Sequence, residues 1–512
     1  MMFPKPNSVF SYLFICILVT FSQCVNIKTQ TPDSMIVYEV FVQSYCDSNK
    51  DGIGDIQGLI SKLDYIRELG ATALWIMPVH PSPSYHKYDV SDYYAIHPDY
   101  GTMADMDQLL RETHSRGMKL IFDLVINHTS SEHPWFKESA ASPDSPYHDY
   151  YVWKDFNAVQ DEINKKTTTF DSDNITQWHK WKEEKDHYYG FFWKGMPDLN
   201  FDHPEVRKEV YKIGKFWLDK GIDGFRLDAA RHIYPDDRMN DTRLFWEEFT
   251  SKMRSVKPDV MIIGEVWAEP QLLTSLFKGL PSLFNFELTK LIPDCIVSGN
   301  SHHFISAYTH IDTTYKSSPL PFDDAILLSN HDINRIRSTV GGDISKAKLA
   351  ASILLTLPGT PYIYYGEEIG MLGMKPDENI REPFLWGEDH WDTLWMKPTY
   401  SVPPNVSPLS LQKTDPNSIY NHYKKWIKLR KEHSEMHGSK LSFIQQDPPH
   451  ILVYTLSGPT EKLLVIHNLS ASAVEFPVPE NSKLLSDDQN KIKDNKVNVG
   501  AYSSGLILLR ER

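Results

Sequence analysis

Eight short apolar runs, most of which end in a polar residue or a turn, recur along residues 35 to 368. Near-continuous apolar runs of this length are typical of strands in a parallel sheet that is buried on both faces. The runs are MIVYEVFVQSY (from Met35), ATALWIMPV (from Ala71), KLIFDLVINH (from Lys119), GIDGFRLDAA (from Gly221), DVMIIGEVW (from Asp259), SLFNFEL (from Ser282), AILLSNHD (from Ala325) and TPYIYYGEE (from Thr360). The pattern therefore predicts eight buried parallel strands.

Helical patterns lie between several of these runs. The clearest is HPEVRKEVYKIGKFWLDKG, which has Pro204 near its first helical position and Gly221 just beyond its end. Strands and helices that alternate until eight strands are counted predict a TIM (β/α)8 barrel, an α/β fold. An open doubly wound sheet is the alternative, but that fold more often shows a glycine-rich phosphate loop, and none follows the first strand.

The interval between the third and fourth strands is unusually long. The third strand ends near His128 and the fourth begins near Gly221, and one helix occupies only about twenty of these residues. The remaining roughly 70 residues are rich in Trp, Tyr and Asp and are too long for an ordinary βα loop. We expect them to form an inserted domain, 128–200, over the C-terminal face of the barrel, where active sites lie.

The pattern changes again after the eighth strand. A Trp- and Pro-rich segment leads to a predicted helix, IYNHYKKWIKLRKEHSEM, after which only short strands follow. These strands are HILVYTL, KLLVIHNL, AVEFPV and GLILLRER. Short strands without intervening helices predict a small antiparallel β-sandwich. The domain prediction is a barrel over 35–127 and 201–436, with a C-terminal sandwich over 437–512.

The N-terminus resembles an export signal. A single Lys5 precedes the apolar run from Val9 to Phe21, which is too short to span a bilayer comfortably but suits a signal-peptide core. We expect residues 1–24 to be a signal peptide and the protein to be secreted. The stretch TFSQC leaves an alternative, a membrane-anchored lipoprotein attached through Cys24.

Composition narrows the choice of partners. The 53 Lys and Arg residues against 67 Asp and Glu residues give a net charge of −14, which argues against a nucleic-acid partner. Nothing implies a protein partner, and we expect a monomer. Cys16 and Cys24 lie in the leader, so Cys46 and Cys295 allow at most one intrachain disulfide.

Three carboxylates stand at the ends of predicted barrel strands. Asp228 follows GIDGFRL, Glu265 follows MIIG, and Asp332 follows AILLSNH. The C-terminal ends of barrel strands meet at the mouth of the barrel, where three acids would repel one another. Glycoside hydrolysis gives such a cluster a use: one carboxylate attacks the anomeric carbon, a second donates a proton to the leaving oxygen, and a third stabilises positive charge.

Five short motifs support this interpretation. DLVINH (123–128), MPDLN (196–200), GFRLDAARH (224–232), GEVW (264–267) and SNHD (329–332) resemble, in order and spacing, motifs of the α-amylase family of retaining glycoside hydrolases, family 13. The resemblance runs from about Met35 to Arg512. Together with YYGEEIGM and IREPF, MPDLN is similar to the bacterial-type α-amylases that are intermediate between oligo-1,6-glucosidases and neopullulanases.

The resemblance implies a role for each matched residue. It implies that Asp228 is the nucleophile, Glu265 the acid/base and Asp332 the transition-state stabiliser. The substrate-binding residues that it implies are Tyr88, His128, Arg226 and His331. Arg226 lies two residues before Asp228 on the same strand face and is expected to hold the nucleophile ionised.

The implied activity is that of an α-amylase, which hydrolyses α-1,4-glucosidic bonds of starch, maltodextrin or glycogen with retention of configuration. The alternatives are an α-glucosidase or an oligo-1,6-glucosidase or neopullulanase-like enzyme with transglycosylation, and a binding protein without catalysis. Arg231 stands where many α-amylases have Lys, and the two side chains differ in geometry. Ala229 stands where α-1,6-specific relatives commonly have Val, which favours α-1,4 cleavage.

A candidate metal loop, DSNKDGIGD, follows the first strand at residues 47–55. Its oxygen-bearing side chains and turn glycine follow the beginning of an EF-hand loop, but position twelve is Gly58 instead of Glu. The same loop recurs in members of the resembled family as a calcium site, so Ca²⁺ is the expected cofactor. The expected ligands are Asp47, Asn49, Asp51, the carbonyl of Ile53, and Asp55. Asn127, with the backbone of His232, resembles part of a second calcium site.

Overall fold

The computed structural model describes residues 35–163, 165–168, 175–182, 186–387, 391–486 and 490–509. The predicted signal peptide, 1–24, and with it Cys24, lies outside the described residues. The strands are β1 (Val37–Val40), β2 (Ala73–Ile76), β3 (Lys119–Leu124), β4 (Trp153–Asp155), β5 (Trp178–Lys180), β6 (Asp186–Tyr189), β7 (Gly224–Leu227), β8 (Met261–Gly264), β9 (Ser282–Phe284), β10 (Asp323–Leu327), β11 (Thr360–Tyr364), β12 (Lys440–Phe443), β13 (Ile451–Ser457), β14 (Lys462–Asn468), β15 (Val474–Pro477), β16 (Lys483–Leu484), β17 (Lys491–Lys493), β18 (Lys496–Val499) and β19 (Ser504–Leu509).

The helices connect these strands. They are α1 (Val42–Tyr45), α2 (Ile56–Ser61), α3 (Leu63–Leu69), α4 (Met103–Ser115), α5 (Pro134–Ala141), α6 (Phe156–Val159), α7 (Pro204–Lys220), α8 (Met239–Val256), α9 (Pro270–Leu276), α10 (Leu288–Ser298), α11 (Ser301–Lys316), α12 (Ile336–Thr339), α13 (Ile344–Thr356), α14 (Asp377–Ile380), α15 (Leu409–Gln412), α16 (Ile419–Glu432) and α17 (Glu435–Gly438). In the described part of the chain, no helix is both long enough and apolar enough to cross a membrane.

The eight predicted strands close into a parallel barrel. Their order around the barrel is β1-β11-β10-β9-β8-β7-β3-β2, which confirms the TIM fold and excludes the open sheet. Large side chains fill the interior, among them Trp75, Phe284 and Tyr362. The register pairs Asp123 of β3 with Arg226 of β7, so these two side chains lie next to each other on neighbouring strands.

The helix predicted after the insertion is α7. His203 caps its first turn, Pro204 opens it, and Gly221 ends it with a φ of 111°, a left-handed conformation that favours glycine. The predicted helix before the C-terminal domain ends earlier than expected, at Glu432 instead of Met436. His433 leaves the helical conformation there, and its Nδ1 lies 2.7 Å from the Glu461 carboxylate on the strand side.

The predicted insertion and C-terminal domain are both present. Within the insertion, β4, β6 and β5 form a three-stranded sheet around the buried ring of Phe136. A bridge between His128 and Asp198 ties the segment's two ends together beside β3. The C-terminal region has a five-stranded sheet, β12-β13-β14-β19-β16, and a three-stranded sheet, β15-β18-β17, with a shared apolar core. Cys46 and Cys295 are both buried and free, so the one bridge that the sequence allowed is not formed.

Candidate active site

Three acids from different strands meet at the mouth of the barrel. Asp228 directly follows β7, Glu265 directly follows β8, and Asp332 lies beyond the end of β10. All three line one cleft of about 430 Å³, together with Tyr88 and His128. The three strand-end acids thus lie in one cleft, as expected. Their chemical roles stay predictions.

The buried guanidinium of Arg226 organises these acids. Its Nη1 donates to Asp228 Oδ1 at 2.6 Å and to Asp123 Oδ1 at 2.9 Å. Its Nη2 lies 2.6 Å from Glu265 Oε2, as an ion pair without hydrogen-bond alignment. One cation thus serves three buried carboxyl groups, so their summed charge is only partly compensated. The sequence pointed to Arg226 but not to Asp123.

Asp228 is 7% exposed. Burial raises the pKa of its carboxyl to about 6, although Arg226 acts to lower it. The next residue, Ala229, has a φ of 47°, which is unusual for a residue with a side chain. Its N–H donates to Glu265 Oε2 at 3.1 Å. Backbone strain of this kind persists where the surrounding structure requires it, and here it places the backbone between the two acids.

Glu265 has a different environment from Asp228. Burial raises the pKa of its carboxyl, Arg226 lowers it, and the neighbouring Asp228 and Asp332 raise it again. Its Oε1 accepts a hydrogen bond from the indole of Trp267 at 3.1 Å. That indole stacks on Phe286 at a centroid distance of 3.7 Å, which fixes its orientation. Glu265 is therefore positioned from both oxygens and has a net tendency to hold a proton.

Of the three acids, Asp332 has the strongest tendency to stay ionised. Burial acts to raise the pKa of its carboxyl, but His331 and Arg381 outweigh burial and lower the pKa below its usual value. His331 Nε2 lies 2.9 Å from Oδ2, and Arg381 Nη2 donates to Oδ1 at 2.9 Å. Arg381 was not among the predicted site residues, although it belongs to the quoted IREPF segment.

A second unpredicted residue, Glu39 of β1, completes the surroundings of His331. Its Oε1 lies 2.6 Å from His331 Nδ1, and both side chains are buried. Burial acts to lower the pKa of His331, but Asp332 and Glu39 outweigh it and raise the pKa to about 9. The imidazole is therefore a cation at neutral pH. The only sequence signal was an acid inside the otherwise apolar run VYEVFV.

Tyr88 and His128 lie on the same side of the cleft. The Tyr88 hydroxyl is 2.6 Å from His331 Nε2 and donates to Asp123 Oδ2 at 3.0 Å, and its ring stacks on the His331 ring. His128 Nε2 lies 3.1 Å from the Tyr88 carbonyl oxygen, and burial lowers its pKa to about 4, so this imidazole is neutral. Tyr88 and His128, two of the four predicted substrate-binding residues, thus line the same cleft as Asp228.

Arg231, the residue that departs from the family pattern, has its own partners. Its Nε and Nη2 donate to the two oxygens of Asp236 at 3.0 and 2.8 Å, and its Nη1 donates to the carbonyl of Trp267. This planar pairing is one that Lys could not make.

The candidate metal loop is held by its own backbone. Asp47 accepts N–H bonds from Lys50 at 2.6 Å and Gly52 at 2.8 Å, and Asp55 accepts from Gly58 at 2.7 Å as it caps α2. Asp47 and Asp55 are buried. Within the described residues, no group of three or more His, Cys, Asp or Glu is arranged to hold a metal ion. The donors that the loop offers are all oxygens, a set that suits calcium and not zinc or copper.

The residue predicted for a second metal site, Asn127, lies beside Asp198. Its Nδ2 is 3.4 Å from Asp198 Oδ2, and its buried Oδ1 has no hydrogen-bond partner among the described residues. Burial raises the pKa of Asp198 to about 7. Oxygen atoms from the barrel and from the insertion therefore meet here.

Comparison with known protein families gives two matches along the chain. Residues 39–438 match the family described as the α-amylase catalytic domain. Residues 451–505 match the family described as the C-terminal domain of the α-amylase SusG. The two matches follow the barrel with its insertion and the antiparallel C-terminal region.

Individual relatives cover almost the whole chain. The chain is 45% identical to "Alpha-amylase 3" of Dictyoglomus thermophilum over 504 residues, which cover 97% of each protein. It is 35% identical to a 4-alpha-glucanotransferase of Thermotoga maritima, over 86% of this chain and 97% of that protein. The crystal structure of an alpha-amylase from H. orenii superposes with a TM-score of 0.86 at 38% identity, and the match covers 93% of this chain and 100% of that one.

Proposed function

The chain belongs to the α-amylase family and is a glycoside hydrolase, and from this premise we propose that it hydrolyses α-1,4-glucosidic bonds of starch-like glucans with retention of configuration. The observation that carries the proposal is the arrangement around Arg226, which holds Asp228 and Glu265 on either side of one guanidinium. Retention requires two carboxyl groups close enough for one to attack and the other to protonate, roughly 5–5.5 Å apart.

In the first step, an Asp228 oxygen attacks the anomeric carbon. The bond from that carbon to the glycosidic oxygen breaks, and the Glu265 proton moves to this leaving oxygen. Arg226 supports the ionised form of Asp228, while burial and the neighbouring acids support the protonated form of Glu265. Asp332, held charged by His331 and Arg381, stabilises the positive charge that develops on the sugar ring.

In the second step, the Glu265 carboxylate takes a proton from water as the water oxygen attacks the anomeric carbon. The bond from that carbon to Asp228 breaks as the new bond forms, Asp228 is released as a carboxylate, and the freed sugar has the configuration of the substrate. Tyr88 and His128 line the pocket where this sugar would lie and offer it hydrogen bonds and an aromatic surface, and the cationic His331 stacks on the Tyr88 ring.

Product analysis on soluble starch, pullulan and isomaltose, side by side, tests the proposal. We expect hydrolysis of starch with the α anomer formed first in proton NMR, and little cleavage of isomaltose. A first-formed β anomer excludes retention. Preferential cleavage of isomaltose, or transfer to sugar acceptors in place of hydrolysis, supports the oligo-1,6-glucosidase or transglycosylase alternative.

We also propose that Asp47, Asn49, Asp51, the Ile53 carbonyl and Asp55 bind Ca²⁺, with a structural effect. Bound calcium would supply positive charge to a loop whose carboxylates otherwise accept bonds from backbone N–H groups and from the neutral side chains of Ser48 and Asn49. A ligand that binds the native state alone raises stability, so we expect a chelator to lower the melting temperature. The variant Asp51→Ala should respond less to added calcium than the wild type. A melting curve that a chelator leaves unmoved contradicts the proposal.

Residues 1–24 are proposed to direct secretion, and the mature protein is proposed to act on its α-glucan substrate as a monomer. Expression of the full chain in a secreting host, with N-terminal sequencing of the product, tests the first point. A product that stays on the membrane until Cys24→Ala is introduced supports lipidation instead. Sedimentation of the mature protein tests the second.

A further inference from the structure

Three consecutive aromatic residues, Phe191, Phe192 and Trp193, extend from the inside of the site to its rim. Phe191 is 4% exposed, and its ring stacks on His232 at a centroid distance of 3.8 Å. Phe192 is half-buried and presents its edge to His128, at 5.5 Å between ring centroids. Trp193 is 44% exposed and still lines the same cleft as the three acids.

The indole of Trp193 lies against the backbone of Gly195, in the space that a side chain at position 195 would occupy. A Cβ atom at Gly195 would lie 2.7 Å from the indole Cε2 and still closer to Cζ2 and Cη2. Gly195 has no left-handed backbone that would demand glycine, so the space taken by the indole is what excludes a side chain. One side of the ring is thus supported by the backbone of Gly195.

The turn that carries this ring is fixed at several points. The Trp193 carbonyl accepts the N–H of Met196 at 2.9 Å, and the Gly195 carbonyl accepts the N–H of Ser131 at 2.9 Å. The hydroxyl of Tyr188 donates to the carbonyl of Lys194. A ring carried by a fixed backbone and backed by Gly195 has less freedom to lose when a ligand covers it, which favours binding.

We propose that the Trp193–Gly195 turn is a sugar-binding platform, on which the indole stacks against a glucose ring of the glucan chain outside the ring held at Asp228. The proposal rests on the proposed function, because it needs an α-glucan in the cleft. The apolar C–H face of a glucose ring matches a flat indole. The indole lines the same cleft as Asp228 and Glu265, so a glucan bound at these two acids would pass over the indole. The platform would set the preference for longer chains.

The test compares kcat/KM for maltoheptaose and maltotriose in matched variants. Trp193→Ala should lower the ratio of the two kcat/KM values by about 5- to 20-fold, mainly through KM, because the shorter substrate covers less of the cleft. Gly195→Ala should lower the ratio too, since the added methyl displaces the indole while Trp193 remains. Trp193→Phe, which keeps an aromatic face, should retain part of the ratio.

Two variants serve as controls. Phe156→Ala removes a 52% exposed aromatic ring of the insertion that does not line the cleft. Gly438→Ala adds a methyl group that would meet nothing within 4 Å. Both should keep the wild-type ratio. If Trp193→Ala and Gly195→Ala also keep it, or lose kcat equally on both substrates, the platform is wrong. If the wild type hydrolyses neither substrate, the proposed function itself fails.

Discussion

The two ends of strand β7 each bury a carboxylate, and the two carboxylates differ in how they are compensated. Asp223, before the strand, accepts bonds from Lys257 at 2.9 Å, Lys119 at 3.2 Å and the N–H of Leu120 at 2.9 Å. Burial acts to raise its pKa, but Lys257, the N–H of Leu120 and His114, whose Nε2 lies 2.7 Å from Oδ2, lower the pKa below its usual value. Asp228, after the strand, shares one arginine with two other carboxyl groups, and burial raises its pKa to about 6.

Along β7, the difference separates a carboxylate that stabilises the fold from one that is placed for chemistry. At the N-terminal ends of the strands, lysine side chains reach Asp223 from solvent, so the carboxylate is satisfied and stabilises the fold. At the mouth, every acid near Arg226 is under-compensated, which keeps proton affinities high and costs stability. Such division between a stabilising face and a reactive face is general for TIM barrels.

The largest effect on activity is expected from a substitution at the mouth of the barrel. Asp228→Asn removes the proposed nucleophile with little change in volume, so we expect activity on soluble starch below about 1% of the wild type. The measurement is kcat by reducing-end release, with circular dichroism to check the fold. Activity above that level would remove Asp228 from the covalent step.

The corresponding change at the other end should act on stability instead. Asp223→Asn leaves Lys119 and Lys257 without their shared anion, and we expect the free energy of unfolding to fall by about 1–3 kcal/mol, since both lysines are partly exposed. Urea unfolding measures it, and kcat should be kept. The control Asp219→Asn breaks the exposed pair with Lys215 and should cost almost nothing. Equal losses in the two variants would contradict the role of Asp223.

A smaller effect is expected from Glu39, which acts on the mouth through His331. In Glu39→Gln, His331 loses one of the two anions that raise its pKa, so its cationic form should be lost at lower pH. We expect kcat to fall roughly tenfold, with the alkaline limb of the pH profile moved toward neutral. The profile from pH 5 to 10 is the measurement. An unmoved alkaline limb with reduced stability would mean that Glu39 has only a structural role.

The smallest effect is a pH dependence of stability whose sign should differ between Asp228 and Asp223. A pKa of about 6 for Asp228 in the folded state lies above its value in the unfolded chain, so the folded state gains protons, and stability, as pH falls through 6. The wild type should gain about 1 kcal/mol relative to Asp228→Asn between pH 7 and pH 5. For Asp223 the sign is opposite: its contribution is lost as pH falls below the unfolded value. A constant difference between wild type and variant would contradict the raised pKa of Asp228.

The sequence by itself determined the local elements and the residues that lie within them. Apolar runs marked all eight barrel strands because a strand buried on both faces cannot carry many polar residues, and a proline and a glycine marked the ends of α7. Asp228, Glu265 and Asp332 were recognisable because each follows such a run. Arg226 could also be predicted from the sequence, since residues two apart on a strand share a face and Arg226 lies two residues before Asp228.

Only the tertiary structure decided which groups surround these acids. Glu39 and His331 are 292 positions apart, and Asp123 and Arg226 are 103 apart, so no periodicity relates them. Closure of the barrel brings them together, and their pKa values follow from that burial and proximity. The fit of the Trp193 indole over Gly195 is likewise a matter of side-chain packing. A sequence pattern shows whether a segment is mostly buried or mostly exposed. Charge compensation and side-chain contacts depend instead on individual atoms from segments that are distant in the sequence.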